Sequence, residues 1–262
     1  MSDQVFTNMK AVVSGATGTI GRAICQRIVE DGGSVVLLGR NEEMLKKAVV
    51  EMGSQASYAI VDIDDDDSVE AFARTLDRVD ILVCTAGWTV IGPVDDVPVA
   101  DAVDMFNARF FGQCRLIKSA LPKFDNGGLI VMCSGVATDA YYPNYGFGTA
   151  VCSAIDAYAH HIAVELAPRK IRVNSISPGW TVPVEPNSNS AGPTRVFAPE
   201  KAMPAFNTAL DSPLHETIPP EEFADALVFM TRAKHLTGEI VRLDAGRGLT
   251  DVPFDGFVEI NR

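Results

Sequence analysis

Ser14-Gly15-Ala16-Thr17-Gly18-Thr19-Ile20-Gly21 follows an apolar run at 9–14 and leads directly into a helical stripe of Ile20, Ile24 and Ile28. Strand, glycine turn and helix in that order form the opening of a βαβ unit, a context that lifts the motif above an isolated glycine pattern. Glycine lets the backbone turn tightly and approach a pyrophosphate, and the free N–H groups and dipole at the helix start attract its negative charge. Gly15 and Gly21 are expected to make the turn and the close helix packing, with Thr17, Gly18, Thr19 and Ile20 around the phosphates.

Outward from this turn, apolar runs at about 34–39, 56–61, 79–84, 127–134, 170–177 and 239–243 alternate with helical patterns, and most are too apolar to face water. The expected fold is α/β, a Rossmann-type doubly wound parallel sheet of about seven strands with helices on both faces, a three-layer sandwich spanning 1–262 as one domain. Leu45, Val49 and Met52 form a second covering stripe. Two long central helices are read from Val103, Phe106, Phe110, Cys114, Ile117 and Leu121, and from Val151, Ile155, Tyr158, Ile162 and Leu166. The stretch 181–218 is rich in Pro, Asn and Ser and reads as a substrate lid, or as a surface insertion.

The second strand ends at Gly39, followed by Arg40 and Asn41. An Asp or Glu there would take a ribose 2′-hydroxyl. A guanidinium in its place favours a 2′-phosphate, so NADP(H) is expected over NAD(H), unless Arg40 is simply a solvated helix-start residue.

The 34 acidic and 22 basic residues give a net charge of −12, which argues against nucleic-acid and membrane partners. No run is apolar enough to span a bilayer, and the polar start lacks a signal peptide's pattern; a cytoplasmic location is expected. Cys25, Cys84, Cys114, Cys133 and Cys152 lie scattered inside apolar patterns, with neither a disulfide framework nor a metal motif. Asp64 to Asp67, just before Val69 and Phe72, reads as a helix cap rather than a metal site.

With these residues in view, the chain resembles the short-chain dehydrogenase/reductase family over nearly its whole length. The glycine turn is similar to that family's, with Thr19 where Gly is commonest. Val61-Asp62-Ile63 resembles the segment whose Asp contacts adenine. Cys84-Thr85-Ala86-Gly87 stands where the family has Asn-Asn-Ala-Gly and keeps Ala86 and Gly87. Ile171 to Gly179, ending Ser177-Pro178-Gly179, matches the strand and turn beside the nicotinamide, with Thr181 just beyond. Thr237-Gly238-Glu239 and Asp244-Ala245-Gly246 look like the final strand.

The same resemblance locates the catalytic positions, and all four have changed. Ala163-Val164-Glu165-Leu166-Ala167-Pro168 fixes the fifth helix without a gap, placing Gly148 at the family's Tyr, Cys152 at its Lys and Gly135 at its Ser. Phe110-Phe111-Gly112 sets Arg109, not Asn107, at its Asn. Moving Tyr145 into the Tyr register needs a three-residue insertion, about 4.5 Å along the helix, and would put Thr149 where Lys belongs. In the family the Tyr donates a proton, the Ser binds the carbonyl and the Lys holds the ribose.

Candidates to take over are Tyr145, whose neutral phenol can donate a proton or else merely pack beside Tyr141 and Tyr142, and Arg109, whose cation can hold a carboxylate, enolate or alkoxide or else serve a structural ion pair. Asp139 reads as a surface residue, His160 and His161 as surface or interface residues, and Cys152 lacks a visible base partner. The leading expectation is an NADP(H)-dependent oxidoreductase acting on a small carbonyl or alcohol through a noncanonical site. A cofactor-binding pseudoenzyme and a non-redox isomerase or cyclase stand as alternatives. By the resemblance, a homo-oligomer, dimer or tetramer, is expected.

Overall fold

The computed structural model describes residues 4–125, 127–181, 194–208 and 212–249. Among these, strands β1 (Lys10–Ser14), β2 (Ser34–Gly39), β3 (Ala56–Ile60), β4 (Ile81–Cys84), β6 (Gly128–Cys133), β7 (Ile171–Pro178) and β9 (Ile240–Leu243) form one seven-stranded parallel sheet in the order β3-β2-β1-β4-β6-β7-β9. All seven fall within two residues of the runs read from sequence. The order reverses between β1 and β4, and a crevice opens beyond the carboxyl ends of such a pair.

Adjacent strand residues divide between two cores. Val12, Leu38, Leu82 and Ile130 face one side and Val13, Leu37, Val83 and Val131 the other, as the period of two requires. Helices α1 (Thr19–Glu30) and α8 (Pro220–Arg232) close the second face through Ile24, Ile28, Phe223 and Leu227. Helices α3 (Asp66–Thr75), α5 (Gly112–Ala120) and α6 (Gly146–Leu166) close the first through Val69, Phe72, Ile117 and Ile155.

Helix starts follow local chemistry. The Asn41 side chain accepts from Met44 N at the start of α2 (Glu42–Met52), and Asp65 accepts from Asp67 N at the start of α3, so the acidic run is a cap as expected. Helix α1 differs: Gly18 caps it with no side-chain hydrogen bond, and its first turn carries no acid.

Two elements depart from the sequence reading. The fourth helix is not continuous: α4 (Val99–Phe106) passes through a π-helical turn, Asn107–Phe111, into α5. The buried face of α4 also differs from the stripe read in the sequence. Val103, expected inside, is 61% exposed, while Met105 and Ala108 are buried. Second, the stretch read as an aperiodic lid contains β8 (Thr194–Val196) and α7 (Pro199–Thr208), and β8 pairs in parallel with β5 (Thr89–Ile91), a strand the sequence reading missed. Thr181 bridges Ile218, which ties the two ends of that stretch together. The rest of it lies outside the described residues. No described helix is long and apolar enough to cross a membrane.

Candidate active site

The glycine turn sits at the strand-order reversal. Gly15 has φ +69°, and a Cβ there would lie 2.7 Å from Ala86 N; one on Gly21 would strike Gly15 O and lie 2.8 Å from Thr85 Oγ1. These glycines are therefore required by the close passage of the β1 and β4 ends, which Thr85 also tethers by donating to Ser14 O at 2.7 Å. With no side chain capping α1, its first amides face the crevice. Thr17, Gly18, Thr19 and Ile20 lie on this turn and first helical turn.

Farther along the crevice, Arg40 follows β2 and is exposed, with no ion pair among the described residues. It borders a cavity of about 300 Å³ shared with Asp64, Trp88, Asp104, Asn107, Thr194 and Arg195. Asn41, by contrast, spends its side-chain oxygen on the α2 cap. Asp62 Oδ1 accepts from Asp64 N at 3.1 Å, and Ile63 packs its side chain on Gly112. Asp64 Oδ1 is buried without a hydrogen-bond partner; burial, and then Asp62, pushes its carboxyl pKa up.

At the opposite end, Gly179 N donates to Leu243 O at 2.8 Å, which fixes the Pro178-Gly179 turn, and Thr181 is buried behind it. Here Gly135, Gly148, Cys152, Arg109 and Tyr145 meet. Arg109 projects from the π turn, held by Gln113, whose Nε2 donates to Arg109 O at 2.7 Å and to Cys133 O at 3.1 Å. A Cβ on Gly87 would lie 2.6 Å from Arg109 Cγ, so that glycine makes room for the arginine stem.

The guanidinium donates to Ser134 O at 2.8 Å, to Tyr145 Oη at 3.2 Å and to Cys152 Sγ at 3.6 Å. Burial opposes its charge, but the net shift is upward, leaving a fixed cation. Among the described residues Arg109 has no carboxylate within ion-pair distance. Burial raises the Cys152 thiol against the lowering effect of Arg109, so this sulfur is protonated at neutral pH.

Tyr145 is the N-cap residue of α6, partly buried, with its ring edge-on to Tyr142 at 6.3 Å. Thr89 Oγ1 donates to its hydroxyl at 2.8 Å. A Cβ on Gly148 would fall inside the Tyr145 ring, with Cζ the nearest atom. The phenol thus fills the space above Gly148 without any shift of the helix. A Cβ on Gly135 would lie 3.0 Å from Cys152 Sγ and 4.0 Å from Arg109 Nη2.

A family model described as enoyl-(acyl carrier protein) reductase matches residues 15–247. The chain belongs to the short-chain dehydrogenase/reductase family. A 3β-hydroxysteroid dehydrogenase of Mediterraneibacter gnavus is 31% identical over 267 residues, covering 92% of this chain and 95% of that protein. An uncharacterized oxidoreductase of Methylorubrum extorquens is 28% identical over 246 residues, covering 90% and 96%. The solved structure of a short-chain type dehydrogenase/reductase from Mycobacterium ulcerans superposes with TM-score 0.83 at 25% identity, covering 97% and 94%. This is an oxidoreductase scaffold of a family whose members bind nicotinamide dinucleotides.

Within this short-chain dehydrogenase/reductase, the remaining sequence candidates stand apart. Asp139 pairs with Arg242 at 2.6 and 2.7 Å, which holds its carboxyl below the usual range, and His160 and His161 are exposed on α6. Sequence reasoning missed Thr89 and Gln113. No motif marks either one, but the three-residue spacing of Tyr145 and Gly148, which puts both on one side of a helix, was a signal that a side chain could fold back over a glycine.

Proposed function

We propose that this short-chain dehydrogenase/reductase is an NADP(H)-dependent oxidoreductase that interconverts a small carbonyl compound and its alcohol, with Tyr145 and Arg109 replacing the family's catalytic Tyr and Lys. The observation that carries this reading is the Tyr145 ring over Gly148, its oxygen 3.2 Å from a guanidinium that also reaches Cys152 Sγ. Phenol and cation are thus rebuilt from other positions in the same small volume.

The residues present fit the cofactor. The Gly15–Gly21 cradle, whose spaces a Cβ would fill, and the uncapped α1 start suit a pyrophosphate. Arg40 suits a 2′-phosphate at the cavity rim. Asp62 and Ile63 would flank the adenine, Ala86 and Gly87 the ribose, and Pro178, Gly179 and Thr181 the nicotinamide. Bound in reduced form, the cofactor supplies hydride to the carbonyl carbon.

Tyr145 donates its proton to the carbonyl oxygen, completing the alcohol, a role that contributes roughly 10²–10⁴ in rate. Arg109 donates to the phenol oxygen and so stabilises the negative charge left there. Exposed Val103 and Phe111 on the outer α4–α5 face support a homo-oligomer.

The test is the absorbance of NADPH with a panel of aldehydes, ketones and conjugated enones. Saturable oxidation with one equivalent of alcohol formed per NADPH supports the proposal. Tight binding without oxidation of any substrate points to a pseudoenzyme, and a rearranged product with unchanged cofactor to an isomerase.

A further inference from the structure

Thr89 lies on β5, is only 2% exposed, and sits between a site residue and a core residue: its Oγ1 is 2.8 Å from Tyr145 Oη and 3.6 Å from Met105 Sδ. The only strong partner for its hydroxyl in that pair is the phenol, since sulfur accepts weakly. Burying a hydroxyl costs free energy unless it is hydrogen-bonded, so the contact both satisfies Thr89 and fixes the phenol.

Thr89 is itself held from outside. β8 pairs with β5 in the register Thr89↔Thr194, Val90↔Arg195 and Ile91↔Val196, and Phe197 N donates to Ile91 O at 2.8 Å. Arg195 lies 4.3 Å over the Trp88 ring and pairs with Asp101 at 2.6 Å. Lys201 pairs with Asp96, while Asn144, the residue before Tyr145, donates to Ala202 O at 3.3 Å and accepts from Gly92 N at 2.8 Å. Residues 194–202 therefore grip both neighbours of the phenol, the β5 segment that carries Thr89 and the backbone that carries Tyr145.

We propose that Thr89 is a positioning residue for the reaction, its hydroxyl fixing the Tyr145 phenol oxygen at the place from which the proton is delivered, with the β5–β8 ladder holding Thr89 in register. This rests on the reading of Tyr145 as the acid. A tyrosine at a helix N-cap has more rotational freedom than one inside a helix, since its backbone lies outside the helical region at φ −123° and ψ 25°. Arg109 donates to the phenol oxygen at 3.2 Å and Thr89 at 2.8 Å, and two contacts on one oxygen define a direction where one does not.

The experiment compares Thr89→Val and Thr89→Ser with the unmodified chain by two readouts. In protein labelled with 3-fluorotyrosine, the Tyr145 fluorine resonance, assigned by its loss in Tyr145→Phe, should move and broaden in Thr89→Val and return in Thr89→Ser. In steady-state NADPH oxidation with the best substrate of the panel, Thr89→Val should lower kcat roughly tenfold or more with little change in KM for NADPH, and Thr89→Ser should recover most of it. A Tyr145 resonance unaltered in Thr89→Val, or a serine variant as impaired as the valine, overturns the proposal. An unmodified chain with no turnover sinks the reading of Tyr145 as the acid, while the fluorine spectra still decide whether Thr89 holds the ring.

Discussion

The ring of Tyr145 occupies the volume that a side chain on Gly148 would claim, so the two positions are coupled. A methyl group at 148 has nowhere to go while the ring is present. Gly148→Ala should destabilise the fold by about 1–3 kcal/mol through overpacking, and the same change in a Tyr145→Ala background should cost much less. Thermal melts of the four proteins of this cycle check it; additive losses would mean that the ring and Gly148 do not share that space.

Arg109 holds the phenol from the other side. Arg109→Gln, which keeps a donor but removes the cation, should lower kcat about 10²-fold, in the range found when a charge-stabilising donor is lost. The loss should fall on kcat rather than on the KM for NADPH, because Arg109 reaches Tyr145, Ser134 and Cys152 and not the glycine cradle.

At the cradle, Gly21→Ala should abolish cofactor binding. Its Cβ would strike Gly15 O and come within 2.8 Å of Thr85 Oγ1, forcing the β1 turn away from the phosphates. Calorimetric titration and the rise in Tm with NADPH both read this, since a ligand that binds only the native state stabilises it by mass action.

Cofactor choice turns on one side chain. Arg40→Ala should weaken NADPH binding about 10- to 100-fold, as expected for a lost charge-assisted hydrogen bond, and leave NADH binding unchanged. Equal affinities of the unmodified protein for the two cofactors would remove Arg40 from the selection.

Asp156 provides a stability test apart from catalysis. It is buried on α6 with Oδ1 unpartnered, and burial raises its pKa against the lowering influence of the nearby Ser134 and Ser175 side chains. A carboxyl raised above its unfolded value of about 3.9 binds protons more tightly when folded, so its effect on stability worsens as pH rises through the folded pKa. Asp156→Asn should therefore raise Tm at pH 7 by roughly 2 °C or more, and by less at pH 4. Melts of the two proteins across this pH range give the difference directly.

Strands and the glycine turn were legible because they rest on strong local signals. Strand runs such as Val35 to Leu38 are buried on both faces and read as continuous apolar blocks, and glycine at 15 and 21 is dictated by backbone contacts that a Cβ would violate. The π turn was hidden because one wide turn leaves the apolar composition of the fourth helix intact. The β5–β8 ladder was hidden for another reason: three-residue strands carry too little periodicity to read, and their partners lie far apart along the chain. At the candidate catalytic end, the family register pointed to Gly135, Gly148, Cys152 and Arg109 and residue type to Tyr145, whereas the packing of the phenol over Gly148 toward Arg109 and Thr89 depends on the three-dimensional fold.

The most direct measurement is the rate of NADPH-dependent carbonyl reduction by the unmodified chain and by Tyr145→Phe, which removes one oxygen and keeps the ring over Gly148. A phenol that delivers the proton predicts a fall in kcat of about 10²-fold or more with NADPH affinity preserved. Equal turnover by the two proteins would contradict it, and the acid would then have to be sought elsewhere in the crevice.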